Sequence, residues 1–329
     1  MKSRKLVLLY ILMVLLWQGY SNDVLALTHR VYVTNIANST VSVIDASENR
    51  VVLTLDTGAW PTGVAVDRNA GRVYVVNSRY GDSSVSVIDI ISNKIVATIK
   101  VDNNPMHIAI NSADGVAYVT HPENKENALS VINISKNILA GRIKVGSEAF
   151  HMVLIGKKLY VSNSGDKSVS VINTANNKVM STIRVDDRPL GMAVCPLKKR
   201  VFVAGQNNNA VIVIDAENDA VLGTVGVGQE PWYIDINPAQ NRAYVSNRGE
   251  GTVSVMNTLN NSIMATIKVG KQPLGVAVAS SINRAYVVNY GGHDVSVINT
   301  NNNSVIGTVE IGAPLYSRHS GSLWGVAVF

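Results

Sequence analysis

From Val31 onward the chain repeats itself. "VYVTN" at 31, "VYVVN" at 73, "AYVTH" at 117, "LYVSN" at 159, "VFVAG" at 201, "AYVSN" at 243 and "AYVVN" at 285 open seven units, five of them 42 residues long. A unit of this length cannot bury its own hydrophobic face, so a period near 40 residues implies a solenoid or a propeller. Within each unit apolar residues alternate with period two, and Val, Ile and Thr dominate, as in "VSVID" at 41 and "VSVIN" at 169 and 295. That pattern makes strands rather than helices.

Four strands can be read in each unit, for example "VYVTN", "VSVID", "VVLTL" and "PTGVAV", separated by turns such as "DASENR" and "DRNAGR". Asn, Asp and Gly in those turns supply the conformations that tight reversals need. Four strands per ~40 residues is the blade of a propeller. The expectation is therefore an all-β chain: a seven-bladed β-propeller, four antiparallel strands per blade, as one domain over residues 27–329. The first unit has no "GVAV" strand before it, and the last segment, "LWGVAVF" at 323–329, has no unit after it. That last strand is expected to complete the first blade and so close the ring. With Cys195 as the single cysteine, no intrachain disulfide can do so.

The motif "YVTN" at 32–35, followed by "VSVID", a hydrophobic strand and a Gly-x-x-Pro-x-Gly-Val-Ala-Val segment, resembles the YVTN family of β-propeller repeats. These occur in archaeal surface-layer proteins and in YncE-like periplasmic proteins, and the resemblance covers the chain beyond its first 26 residues. It implies the propeller fold and an extracytoplasmic setting. It does not imply an activity, because fold-level likeness does not transmit one. Related propellers include haem- and copper-bearing denitrification enzymes, a streptogramin lyase and a bacterial member that binds DNA.

Residues 1–26 differ in kind. Lys2, Arg4 and Lys5 precede the apolar run "LVLLYILMVLLW", and Val24 and Ala26 are the small residues of an export cleavage site. Twelve apolar residues fall short of the ~20 that span a bilayer, which favours a cleaved signal peptide over an anchor. Cleavage after Ala26 would remove three basic residues and Asp23, leaving 29 − 3 = 26 basic against 23 − 1 = 22 acidic, a net +4. The only short basic run is "LKKR" at 197–200, so there is no strong nucleic-acid signal.

A symmetric scaffold acquires chemistry where its symmetry breaks. The turns entering the innermost strands and the loops after the "YVxN" strands share one face, here the top. Loops 77–85 and 121–129 are each longer than their counterparts, and loop 312–325 carries eight extra residues. Binding residues gather on such loops. Trp60, Trp232 and Trp324 all lie in turns leading into innermost strands; they suit apolar ligands or sugar faces, or else blade-to-blade packing. Leu190 and Leu274 in the Trp232 column favour packing there, whereas Trp60 replaces a polar position and should be accessible.

Histidine gives the sharpest departure. The column Gly63, His107, His151, Gly191, Tyr233, Gly275, Gly325 swaps Gly for His in two consecutive blades. The column Asn35, Asn77, His121, Asn163, Gly205, Asn247, Asn289 has its histidine in the same blade as His107. Three imidazoles would suffice for a transition-metal site, with Glu123 or Glu148 as carboxylate companion. The competing reading is neutral imidazoles bonded within turns. Phe150, Tyr233, Arg318 and His319 complete the candidate top-face set, with His293 on the rim. Cys195 reads as a small buried residue. The leading expectation is an exported, non-enzymatic binding or surface scaffold for a small molecule, polymer or protein. The alternatives are a metal-dependent enzyme or redox protein using His107, His121 and His151, and a nucleic-acid-binding protein.

Overall fold

The computed structural model describes residues 29–79, 81–311 and 323–329. The expected signal segment, Arg318 and His319 lie outside these residues. Seven four-stranded antiparallel sheets form the fold. Blade 2 shows the pattern: Pro61–Asp67, Arg72–Asn77, Ser84–Asp89 and Lys94–Lys100 run from the axis outward. Blade 1 consists of Leu323–Val328, Arg30–Asn35, Thr40–Asp45 and Arg50–Asp56. Its innermost strand comes from the C-terminal segment, in register Val31↔Val328, Tyr32↔Ala327 and Val33↔Val326, which is the expected closure. Among the described residues, only two single-turn 3-10 helices, Pro196–Lys198 and Ser280–Ile282, interrupt the β structure. No helix among the described residues is long and apolar enough to cross a membrane.

The core lies between blades. Stretches such as Val31–Val33 and Val201–Val203 are wholly buried, and hydrophobic clusters join the faces of adjacent sheets, one of them also gathering Phe150 and Leu190 from further blades at the axis. The second strands each carry an aromatic ring in this core: Tyr32, Tyr74, Tyr118, Tyr160, Phe202, Tyr244 and Tyr286. Cys195 is buried, as its sequence context suggests. The carboxylates of the bottom turns cap their own backbones: Asp45 accepts the Ser47 N–H at 2.7 Å and Asp215 that of Glu217 at 2.7 Å.

A repeated bulge shapes the axis. In blade 2, Pro61 pairs with Asn77 but Val64 pairs with Val75, and the same one-residue shift recurs in blades 4 to 7. A bulge redirects side chains at a strand end. Two successive residues at the head of each innermost strand thereby stand around the top of the axis, in blade 3 just ahead of the strand Ile108–Asn111. The first set is Thr62, Met106, Phe150, Leu190, Trp232, Leu274 and Trp324; the second is the Gly/His/Tyr column already described.

Hydroxyls tie this region together. Thr120 takes the His107 N–H at 3.0 Å and donates to the Phe150 carbonyl of the next blade at 2.9 Å. Ser162 links His151 to Leu190 in the same way, and Ser246 links Tyr233 to Leu274.

Candidate functional site

Two recesses flank the side-chain layers at the head of the axis. The upper one, about 440 Å3, is bounded by Met106, Phe150, Trp232 and Trp324, with Glu123, Glu148 and Arg188 at its rim. The lower one is the axial channel, about 460 Å3, headed by His107, His151 and Tyr233 and reaching exposed Arg68, Pro196 and Pro238 at the bottom face. Among the described residues, no side chain lines both.

The upper recess is aromatic. Phe150 meets Trp232 edge-on with centroids 6.0 Å apart, and Trp232 meets Trp324 edge-on at 6.4 Å. Arg248 lies over the Trp232 ring at 5.3 Å and forms an ion pair with Glu230 at 2.9 Å. Trp232 therefore serves both readings offered for it: it packs against rings of other blades and lines the recess. Trp60 stands apart. It is 48% exposed, in accord with its replacing a polar residue, and its backbone is left-handed at φ +56. Asn104, Glu148, Glu230 and Gln272 take the same conformation in sister blades, so the strain belongs to the turn and not to Trp60 alone.

The three histidines separate into two groups. His107 and His151 pack ring on ring, with centroids 3.9 Å apart and planes tilted by 53°. Tyr233 joins them at 5.8 and 5.2 Å, across the space that Gly191 leaves open. His151 Nδ1 accepts the Met192 backbone N–H at 3.2 Å, which leaves its proton on Nε2. The buried Nδ1 of His107 has no partner. Burial holds both imidazoles neutral, pushing His107 down to about 3 and His151 well below the usual imidazole value. Burial likewise pushes the Tyr233 hydroxyl upward.

His121 is elsewhere. It is 1% exposed, its Nδ1–H donates to the Asn103 carbonyl at 3.0 Å, and its Nε2 meets the Ser130 hydroxyl at 2.8 Å. Sister blades show why it is there. Asn163 donates to Ser168 and Ser170 at 3.0 and 2.9 Å, and Asn77 and Asn247 do the same with their own hydroxyl pairs. His121 is blade 3's version of that brace, coupled to Asp102, which replaces the glycine found at Gly58, Gly146, Gly228 and Gly270. Asp102 in turn takes two bonds from Arg142 at 2.7 and 2.6 Å.

The expected trio of metal ligands is thus corrected. His121 has both nitrogens engaged with protein, and His151 has one. Two imidazoles sharing a tetrahedral metal would hold their centres about 5 Å apart, wider than the stacked pair. Among the described residues, no group of three His, Cys, Asp or Glu side chains is placed to hold a metal ion. The carboxylate companions are also committed: Glu123 accepts from Asn104 at 3.1 Å, and Glu148 pairs with Arg188 at 3.3 Å.

This assignment has a direct check. His121→Asn should restore the sister arrangement and leave stability within about 1 kcal/mol of wild type, whereas His121→Ala, which strands Ser130 and the Asn103 carbonyl, should cost about 1–3 kcal/mol. Urea unfolding measures both. Equal, negligible losses would show that the brace contributes nothing.

Asp235 was not singled out from the sequence. It lines the channel in the column Ala65, Ala109, Val153, Ala193, Asp235, Ala277, Ala327, where every sister residue is small and apolar. The signal was available in the same column comparison that exposed the histidines. Burial raises its carboxyl to about 6, opposed by hydrogen bonds from the Val278 and Ile236 backbones.

The fold and these recesses define a seven-bladed β-propeller with an asymmetric axis, the class to which solved structures also point. The chain is similar to hydrazine synthase from Kuenenia stuttgartiensis, at 20% identity over 83% of this chain and 92% of that one, with a TM-score of 0.74. It is similar to a functionally unknown protein from Desulfotomaculum acetoxidans, at 15% identity over 91% and 98%, with a TM-score of 0.79. It also resembles dihydro-heme d1 dehydrogenase NirN in complex with DHE, at 13% identity over 87% and 64%, with a TM-score of 0.66. At such identities the likeness is one of fold. No protein-family model and no curated protein sequence matches the chain.

Proposed function

We propose that this protein is an exported binding propeller of the YVTN-repeat type, whose upper recess holds a small organic ligand with an apolar or sugar face. The observation that carries the reading is where the symmetry breaks. Seven near-identical units differ most at the top of the axis, where Phe150, Trp232 and Trp324 wall a 440 Å3 recess. That volume lies within the range of small-molecule sites, and aromatic walls with a few charged groups at the rim are their usual lining. Glu123, Glu148 and Arg188 at the rim would orient polar substituents. Export rests on residues 1–26. Catalysis is not part of the proposal, because the neutral, mutually packed His107 and His151 lie below the recess and do not line it.

A calorimetric screen of aromatic compounds and oligosaccharides, with a parallel pull-down, tests this reading. A bound compound should perturb tryptophan emission, and Trp232→Ala should weaken it by roughly tenfold or more, the scale of losing one buried aromatic contact. Binding unaffected by Trp232→Ala, or turnover of a compound without any stable complex, would overturn the proposal.

A further inference from the structure

The axial channel is separate from the upper recess and differs from it in chemistry. Its walls are aliphatic, formed by residues such as Val153, Met192, Ile234 and Val278. One carboxylate, Asp235, interrupts them. Its Oδ2 accepts the Val278 N–H of blade 7 at 2.7 Å and its Oδ1 accepts the Ile236 N–H at 2.8 Å, so each oxygen keeps a lone pair. None of the ion pairs among the described residues includes it. Among the described residues, the only formal cation lining the same cavity is Arg68, which is exposed at the bottom face and donates to the Val328 carbonyl at 3.3 Å.

We propose that the channel is a second binding site, entered from the bottom face, for a small aliphatic ammonium ion whose charged end pairs with Asp235. A partly desolvated carboxylate without a counter-charge costs free energy, and a ligand cation offsets that cost. The apolar body of such a ligand would lie along the aliphatic walls, within a volume of about 460 Å3. Arg68 at the mouth disfavours a second positive end, so a monoammonium with a neutral or anionic tail fits better than a diamine.

Among the described residues, the titratable groups that share the cavity with Asp235 are His107, His151 and Arg68 from other strands and Tyr233 on its own strand. Burial keeps His107 neutral down to about 3, and His151 is also held far below its usual value, while burial raises Tyr233. Between pH 4 and neutrality, Asp235 is therefore the group in the cavity that changes charge, near 6. Ammonium affinity should be full above that point and fall about tenfold per pH unit below it.

Calorimetric titration of the full-length protein with hexylamine, 6-aminohexanoate and hexanoate tests the site. The two amines should bind and hexanoate should not. Asp235→Asn should weaken amine binding by about 10-fold to 100-fold, the scale of one charge-assisted contact, while melting cooperatively. If that variant does not fold, Ala277→Leu, which narrows the channel and keeps the carboxylate's charge, should weaken the amines instead. Trp232→Ala should leave them unchanged, so failure of this site and failure of the upper recess are distinguishable. Absence of amine binding at about 10 mM, equal binding of hexanoate, or undiminished binding by folded Asp235→Asn would each overturn the proposal. The last result would leave Asp235 as a clip between blades 6 and 7.

Discussion

Deletion of residues 323–329 is expected to abolish the cooperative unfolding transition of the ring. Leu323–Val328 is the innermost strand of blade 1 and pairs with Arg30–Asn35. Val326 and Val328 pack against the cluster shared with blade 7, while Ala327 and Phe329 pack against the one shared with blade 2. Removing the segment thus opens two blade interfaces and bares a long strand edge at once. Bare edges pair with other chains, so the truncated protein should also aggregate. With no disulfide present, nothing covalent would keep the ring closed. Scanning calorimetry and size exclusion are the measurements. A monomer melting within about 5 °C of wild type, roughly 3 kcal/mol at this size, would show that the closure is dispensable.

Gly191→Ala should be the most damaging of the small substitutions. A Cβ at that position would stand 2.6 Å from the Trp232 carbonyl oxygen, 2.6 Å from Tyr233 Cα and 3.2 Å from Tyr233 Cδ1. Two of those three atoms are backbone or fixed to it, so blades 5 and 6 must part for the methyl to fit. Overpacking of this kind costs about 1–3 kcal/mol, and the ring geometry places the expected loss near the upper end. Gly141, on an outermost strand with nothing within 4 Å of its added Cβ, supplies the control. Gly141→Ala should be neutral within about 0.5 kcal/mol, or stabilising through reduced freedom of the unfolded chain. Chemical unfolding of both variants decides the matter, and equal effects would refute the close-approach explanation of the glycine column.

That column also shows how much was legible beforehand. Its identity, its position at the axial end of each innermost strand, and its replacement by His107, His151 and Tyr233 could all be read from aligned units, because a fixed period puts equivalent residues in equivalent places. The orphaned strand at 323–329 announced closure for the same reason. Asp235 could have been found by the same comparison two positions further along the strand. His121 was misread because column comparison records that a residue differs and not which atoms its replacement meets. Asn and His both present a nitrogen at hydrogen-bond reach of the facing serine, and only the fold shows Ser130 and the Asn103 carbonyl on either side of the ring.

The period, the alternation of apolar residues and the unpaired terminal strand determined a seven-bladed ring and its topology. These are local and repeated signals that survive averaging over many residues. Which side chains meet at the axis was decided by tertiary structure alone. The bulges in the innermost strands and the angle between blades set whether residues more than 40 positions apart meet or stay apart. Those geometric quantities joined His107 to His151, left His121 outside, and divided the axis into an upper aromatic recess and a channel holding one half-buried carboxylate.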